Sequence, residues 1–481
     1  MARIVVVGAG FAGHTAALYL GHHLGKKHEV IMVNKYDYFG FVPSWVWVGT
    51  GRMDPQKTII PLAPVYERMH VRFIHGALTE IHPESEEQFI VVDKADGSGT
   101  TQVDYDYLII ATGPYLNFAA TPGLGPHTGN TYSICTLDHA IQTRDAYLEL
   151  VQRLEKGERA KIVIGTGHGT ATCQGAAFEY ISNIHKDLVR RGLRDRAELV
   201  FFSNEPALGD FGIRGVTARY KGQLITSAEF VEAVFRDFDI RWEIGRAALK
   251  VEPGRIYWED MDGNYGETTF DFAMLVPQFK GHGIHIAVKG PNGEDLHDKI
   301  FNASGFVIVD GIYGLPYERL ERNPDAWPAV YQNPWYPNIF AAGIAFAPPG
   351  PISVPHTTPN GTKIAPAPPR TGMISGIIGR IVALNVIDLV KKGRMTHSER
   401  MTEMFAACVA SVGDSLWDGS AVVIVVHPVV PDFRRYPNEG GRDLFVTHME
   451  MGLSGAWMKF LIHHTFMYKF KGLPGWRIIP E

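Results

Sequence analysis

A chain of 481 residues is too long for one compact core, so two or three domains are expected. Its 45% hydrophobic and 20% charged content suits a folded soluble or peripheral protein, and a net charge of -5 gives no support to nucleic-acid binding. The three cysteines, Cys135, Cys173 and Cys408, are too few for a disulfide framework and too scattered for a zinc site, so no metal centre is expected. They count only as reactive thiols.

The N-terminus does not read as a signal peptide, because Met1-Ala2-Arg3 runs straight into the buried-strand pattern Ile4-Val5-Val6-Val7. No apolar stretch is read as reaching the roughly 18 to 20 residues of a spanning helix, so membrane contact is expected to be peripheral. The loop Gly8-Ala9-Gly10-Phe11-Ala12-Gly13 follows, then a helical stretch from His14 to about Leu24 and a strand from Glu29 to Val33. G-x-G-x-x-G between strand and helix lets the backbone turn tightly and approach a pyrophosphate at the helix N-terminus. Gly8, Gly10 and Gly13 are therefore candidate dinucleotide ligands. Asn34 stands where an acidic ribose ligand is usual, and its carboxamide can still bond a hydroxyl.

Residues 72–113 alternate in the manner of strands and end at the turn Ala111-Thr112-Gly113. A second strand and loop, Lys161 to Gly167, opens another βαβ unit, with its helix expected over Ala176 to His185 and a strand at Leu199 to Phe202. In that loop the third fingerprint position holds Thr170 instead of glycine, which weakens the case for a nicotinamide donor. Cys173 lies near the start of the following helix, where the helix N-terminus is expected to lower its thiol pKa. A late strand and turn, Asn338 to Gly343, matches the first turn, and the set of three points to FAD with Ala111, Thr112, Gly113 and Gly343 beside it. Proline-dense residues 347–370 predict an extended loop. A helix resumes near Thr371 and continues to about Lys392, and a β-like run spans Ala421 to Val426.

The fold class is thus α/β, with two Rossmann-like dinucleotide-binding domains and a C-terminal membrane-associating region. The expected division is 1–115 for the first part of the FAD domain, 116–330 for the second domain, 331–400 for the return to the FAD domain, and 401–481 for the C-terminal membrane-interface region.

The segments Tyr36-Asp37-Tyr38-Phe39-Gly40-Phe41-Val42-Pro43-Ser44, Ile134-Cys135-Thr136-Leu137-Asp138-His139, Cys173 with Ala177-Phe178-Glu179-Tyr180, Asn338 to Ala345, Arg370-Thr371-Gly372-Met373 and Ala407 to Asp414 resemble those of the sulfide:quinone oxidoreductases, which are disulfide-oxidoreductase-like flavoproteins. All three cysteines fall on positions where that family carries functional cysteines. The resemblance implies that sulfide opens a disulfide or polysulfide bridge between Cys173 and Cys408, giving a persulfide and a thiolate. The electron pair then passes through FAD to a quinone, and repetition lengthens a sulfur chain to polysulfide or elemental sulfur. Cys135 implies either covalent attachment of FAD or a sulfur shuttle. His139, four residues on, would share its face in a helix and could manage protons. The chain departs from relatives in reading Glu205-Pro206-Ala207-Leu208-Gly209-Asp210 where they have a second histidine.

By the same resemblance Phe41, Pro43 and Gly372 belong to a quinone pocket, joined by Phe460 and Phe466. The stretch Trp457 to Lys471 mixes large apolar groups with lysines, the composition of an interfacial helix that buries aromatics and leaves lysines at headgroups. The implied setting is a peripheral or monotopic protein on a prokaryotic cell membrane, and a homo-oligomer is compatible with the sequence. Rival readings are a type II NADH:quinone dehydrogenase, the flavin subunit of a flavocytochrome c sulfide dehydrogenase, and an inactive flavin-binding redox sensor. The first needs an intact second glycine loop. The second would be exported with a haem partner.

Overall fold

The computed structural model describes residues 1–220 and 222–481. Strand β1 (Arg3–Val7), helix α1 (Phe11–Leu24) and strand β2 (Glu29–Asn34) make the first βαβ unit, with β1 and β2 parallel from Arg3 opposite Glu29 to Val7 opposite Val33. The helix begins earlier than expected because the glycine loop leads directly into it, with Gly10 as its cap. Strand β3 (Arg72–His82) adds parallel to β2, and β4 (Phe89–Lys94) and β5 (Thr100–Asp104) extend the sheet antiparallel. Strand β6 (Tyr107–Ile110) then returns beside β1. The central strands are apolar throughout because both faces of a parallel sheet are covered.

Helix α2 (Leu137–Glu155) leads to the second unit, β7 (Ala160–Thr166), α3 (Gln174–Arg191) and β8 (Ala197–Phe202), completed by β9 (Ile240–Glu243) and β10 (Phe272–Val276). These four strands form a parallel sheet in the order β9-β8-β7-β10. Helix α3 outruns the expected His185 end and stops at Gly192, whose left-handed backbone (φ 67°) closes the last turn.

Strand β11 (Ile339–Ala341) pairs parallel with β6, so a late segment completes the first sheet in the order β11-β6-β1-β2-β3-β4-β5. Helix α4 (Gly372–Lys392) follows and lies tightly on α1, where a Cβ on Gly379 would come 2.3 Å from the Ala12 carbonyl oxygen. Among the described residues α4 is the one helix long and apolar enough to cross a membrane, contrary to the reading that no stretch reached that length. Of its apolar 18-residue window 72% is buried, so its apolarity serves packing inside the protein, the contact with α1 included. The proline-dense loop before it is extended, as expected, with a small hairpin of His356–Thr357 and Lys363–Ile364.

Beyond α4, strands β12 (Ala406–Val412), β13 (Ser420–Val426) and β14 (His448–Gly452) form an antiparallel sheet, covered by α5 (Leu453–Phe470). The C-terminal end is locked to the first domain. Buried His14 bonds Tyr66 Oη (2.8 Å) and the Phe470 carbonyl oxygen (2.7 Å), and Lys469 pairs with Glu481 (2.8 Å).

Helix α5 reverses the expected arrangement of its charges. Lys459 and Lys469 are buried, whereas Trp457, Leu461 and Tyr468 are 52%, 62% and 42% exposed. The lysines are drawn inward by Glu179 and Glu481, each a buried carboxylate that needs a cation. The helix therefore turns outward a largely apolar stripe, with the exposed His464 among Trp457, Leu461 and Tyr468.

Candidate active site

The first glycine loop has the geometry of an anion cradle. Gly8 sits at φ 99°, and a Cβ there would meet the Ala111 carbonyl oxygen at 2.4 Å; one on Gly13 would lie 1.8 Å from the Gly8 carbonyl oxygen. Gly10 and Gly113 face open space, with nothing within 4 Å of an added Cβ. The loop is thus closed on the protein side and open on the side where a pyrophosphate would lie, at the N-terminus of α1. Gly343 (φ 63°) touches Ala12 and Ser375 instead, and so fixes the β11 turn between α1 and α4. At the start of α4, Arg370 Nε and Thr371 Oγ1 are buried without a partner. Orphaned donors there and an open cradle at Gly10 both fit an FAD spanning the two.

Asn34 departs from its expected role. Its Oδ1 accepts the Ala9 N–H (2.9 Å) and its Nδ2 donates to the Tyr36 carbonyl oxygen (2.8 Å), so the side chain braces the glycine loop.

The second loop is occupied by the chain itself. Added Cβ atoms on Gly165, Gly167 and Gly169 would strike the Phe202 carbonyl oxygen (1.6 Å), the Leu124 side chain (2.6 Å) and the Lys363 carbonyl oxygen (2.2 Å). The proline-dense loop straps across it through Ala365 N–H to Gly169 O (2.9 Å) and Ala367 N–H to Ala171 O (3.2 Å). Helix α3 starts only at Gln174, so no helix N-terminus directly follows the glycines. These glycines serve internal packing.

Cys173 caps α3 in a left-handed backbone (φ 66°, ψ 36°), a conformation costing a non-glycine residue about 1–3 kcal/mol and typical of functional positions. All three cysteines are free thiols. Cys135 and Cys408 each feel the charge of Cys173. Burial raises every one of the three: Cys135 to about 12, Cys408 to about 11, and Cys173 upward although the Arg370 charge and backbone N–H pull it down. The expected lowering of Cys173 by its helix fails because desolvation outweighs the favourable dipole. Cys408 is exposed, yet enough protein crowds its sulfur to desolvate the thiolate.

Behind Cys408 lies a buried charge cluster that sequence reading missed. Glu179 accepts from Ser411 N–H (2.9 Å), Ser411 Oγ (2.6 Å) and Lys459 Nζ (2.8 Å), and Lys459 also donates to the Val409 carbonyl oxygen (3.0 Å). The cluster ties α3, β12 and α5 together around the thiol. Arg370 was missed too. It lies over the Phe306 ring at 4.1 Å, donates to Ile344 O and faces Cys173.

His139 and Cys135 do not share a helical face. Cys135 precedes the Thr136 cap of α2, and the His139 ring sits with Phe118 and His127, 5.7 Å from each. Burial and His127 hold His139 below its ordinary pKa, and its Nδ1 has no partner.

In the Glu205–Asp210 turn, Glu205 is fully buried and accepts from Ser203 Oγ (2.7 Å) and Phe211 N–H (2.8 Å). Burial pushes it to about 8, with Asp210 adding repulsion. Asp210 itself is raised by burial and bonded to Ser353 and the Gly212 N–H.

An aromatic cluster lies between α1 and α5. Phe41 is buried against Phe11 (5.6 Å), His463 (5.5 Å) and Phe466 (6.3 Å), and Phe460 stacks on Trp47 (5.2 Å). Pro43 is half-buried at the same loop. Gly372 presses on the Phe11 ring, 2.9 Å from an added Cβ, so the ring it accommodates is the protein's own. His463 bonds Ser44 Oγ (2.8 Å) and is pushed down to about 4 by burial, leaving it neutral. It was not singled out in the sequence, although its place three residues after Phe460 and three before Phe466 is a helical spacing.

Residues 2–179 match the pyridine nucleotide-disulphide oxidoreductase family model. The chain is similar to the sulfide-quinone reductase of Aquifex aeolicus (strain VF5), 29% identical over 92% of this chain and 87% of the relative. The solved structure of the sulfide:quinone oxidoreductase from Aquifex aeolicus superposes with a TM-score of 0.74 at 26% identity, covering 98% of this chain and 92% of that one. The external alternative NAD(P)H-ubiquinone oxidoreductase B3 of Arabidopsis thaliana is 24% identical over 39% of this chain and 33% of its own length.

Proposed function

We propose that this chain, an oxidoreductase of the sulfide:quinone oxidoreductase type within the disulfide-oxidoreductase-like flavoproteins, oxidises sulfide and delivers the electrons to a membrane quinone through a cysteine relay. The observation that carries the relay is the set of the only three cysteines, with Cys173 strained, faced by Arg370 and within electrostatic reach of the other two. With Cys173 and Cys408 bridged, HS⁻ attacks one sulfur; the S–S bond breaks, one cysteine carries the new persulfide and the other leaves as a thiolate. Arg370 stabilises negative charge at Cys173, and the Lys459–Glu179 cluster holds the strand bearing Cys408. Bound FAD would accept the electron pair and pass it to quinone. Gly8, Gly10, Gly13, Thr112 and Gly113 would hold its pyrophosphate half, and Arg370 and Thr371 would bond its ring end. Cys135, which feels the charge of Cys173, would exchange sulfur with it as a shuttle.

Phe41, Phe460, His463 and Phe466 offer apolar walls and one hydrogen-bonding group for a quinone ring. The outward stripe Trp457, Leu461 and Tyr468 would rest in the membrane interface that holds the quinone. The strapped second glycine loop speaks against an NADH donor.

The test is optical. Anaerobic sulfide bleaches the flavin of the purified holoenzyme and decylubiquinone restores it. Bleaching by NADH and not by sulfide would overturn the assignment. Cys173→Ser and Cys408→Ser each abolish sulfide-driven bleaching while FAD stays bound, and a near-normal rate in either removes the relay.

A further inference from the structure

A cavity of about 820 Å³ opens at the C-terminal end of α5, lined among others by His22, Arg68, Met69, Leu473, Arg477 and Ile478. Its floor is fixed. Trp476 packs edge-on against Tyr19 (4.9 Å), Arg68 Nη2 donates to the Lys471 carbonyl oxygen (2.6 Å), and Tyr468 Oη donates to the Pro474 carbonyl oxygen (2.7 Å). Its chemistry is two-sided. Ile478 (86% exposed) stands at its edge, and the α5 stripe of Trp457, Leu461 and Tyr468 runs down to it, these residues being close in angle about the helix.

The cations of the cavity have no acidic counterpart. Among the described residues, no carboxylate lies within 4.0 Å of the side-chain nitrogens of Arg68 or Arg477. Glu481, four positions beyond Arg477, is buried and engaged by Lys469 and Thr15. His22 and His23 are held below their ordinary pKa by burial and by the positive charges of Arg477 and Lys391, which is what a region of uncompensated cations does to a neighbouring histidine. The protein as a whole carries a net charge of -5, so this basic spot opposes the overall sign.

We propose that this cavity is a binding site for the anionic headgroup of a membrane phospholipid, with Arg68 and Arg477 on the phosphate and the α5 stripe among the acyl chains. Unpaired cations beside exposed apolar side chains match an amphiphile with an anionic head. The volume lies in the range of small-molecule sites. Each basic group near an anionic bilayer surface strengthens binding by about five-fold, so the pair sets a preference of about 25-fold. The site rests on the membrane-docking reading above and adds to it which lipid is selected and which end of α5 is held.

The holoenzyme is tested by co-sedimentation with vesicles of phosphatidylcholine alone and of phosphatidylcholine mixed with phosphatidylglycerol. The wild type prefers the mixed vesicles, and high salt removes that preference. Arg68→Gln/Arg477→Gln loses it while retaining binding to phosphatidylcholine and normal sulfide-driven bleaching in detergent, whereas Arg322→Gln, outside the cavity, leaves it intact. Equal wild-type binding to both vesicles overturns the headgroup site and leaves membrane docking standing; binding to neither overturns both. The salt and lipid comparisons need only the wild type, so a misfolded double variant does not rescue the proposal. Stabilisation of the wild type by inorganic phosphate, lost in the double variant and without any vesicle preference, would make this a free-anion site and overturn the lipid assignment.

Discussion

Replacing Lys459 by methionine isolates the ion pair behind Cys408. Lys459 Nζ lies 2.8 Å from Glu179 Oε1, and both side chains are buried. Without the ammonium, Glu179 keeps two bonds from Ser411 but stands as an uncompensated buried charge. Breaking such a pair costs about 3–5 kcal/mol, and the surviving hydrogen bonds place the cost at the lower end, about 3 kcal/mol. In urea this lowers the midpoint of the unfolding transition by roughly 1 M. Glu179→Gln/Lys459→Met, which leaves no charge unpaired, recovers about 2 kcal/mol of that loss. The same cycle has a chemical readout. Glu179 pushes the Cys408 thiol up and Lys459 pulls it down, so Lys459→Met raises the thiol further and the double variant brings it back. Iodoacetamide alkylation against pH in a Cys135→Ser/Cys173→Ser background measures this. A loss below about 1 kcal/mol, or a double variant no better than the single one with an unmoved alkylation profile, would refute the coupling.

Glu205, raised to about 8, binds its proton more tightly folded than unfolded, so it favours the folded state below about pH 4.5, and that contribution is lost as pH rises to about 8. The loss is at most roughly 5 kcal/mol; Glu205→Gln removes the slope from denaturation curves taken across that window, and an unchanged slope would show that another group carries it. Gly13→Ala, with its methyl forced onto the Gly8 carbonyl oxygen, loses soluble protein, whereas Gly10→Ala folds but retains less flavin after desalting because its methyl enters the cradle. Full flavin retention by Gly10→Ala would displace the pyrophosphate from that loop. Phe466→Ala raises the KM for decylubiquinone by about ten-fold, from about 1.5 kcal/mol of lost apolar contact, with sulfide-driven bleaching unchanged. An unchanged quinone KM would move the quinone elsewhere.

Periodicity and spacing sufficed for much of this molecule. The runs Ile4 to Val7 and Lys161 to Gly167 with their glycines located both βαβ units, and proline density located the strap, because strand apolarity, glycine turns and proline restrictions are local properties of the chain. Resemblance singled out Cys135, Cys173 and Cys408 as functional. What needed the tertiary structure were the properties created by neighbours distant in sequence. Asn34 became a brace because Ala9 meets it, and the thiols rose because burial outweighed a helix end. The lysines of α5 turned inward because Glu179 and Glu481 wait there. Glycine loops alike in sequence parted in role, one open at Gly10 and one filled by Leu124 and Lys363. Electrostatics and steric occupancy depend on what the fold brings within a few ångströms, and no stretch of sequence contains that.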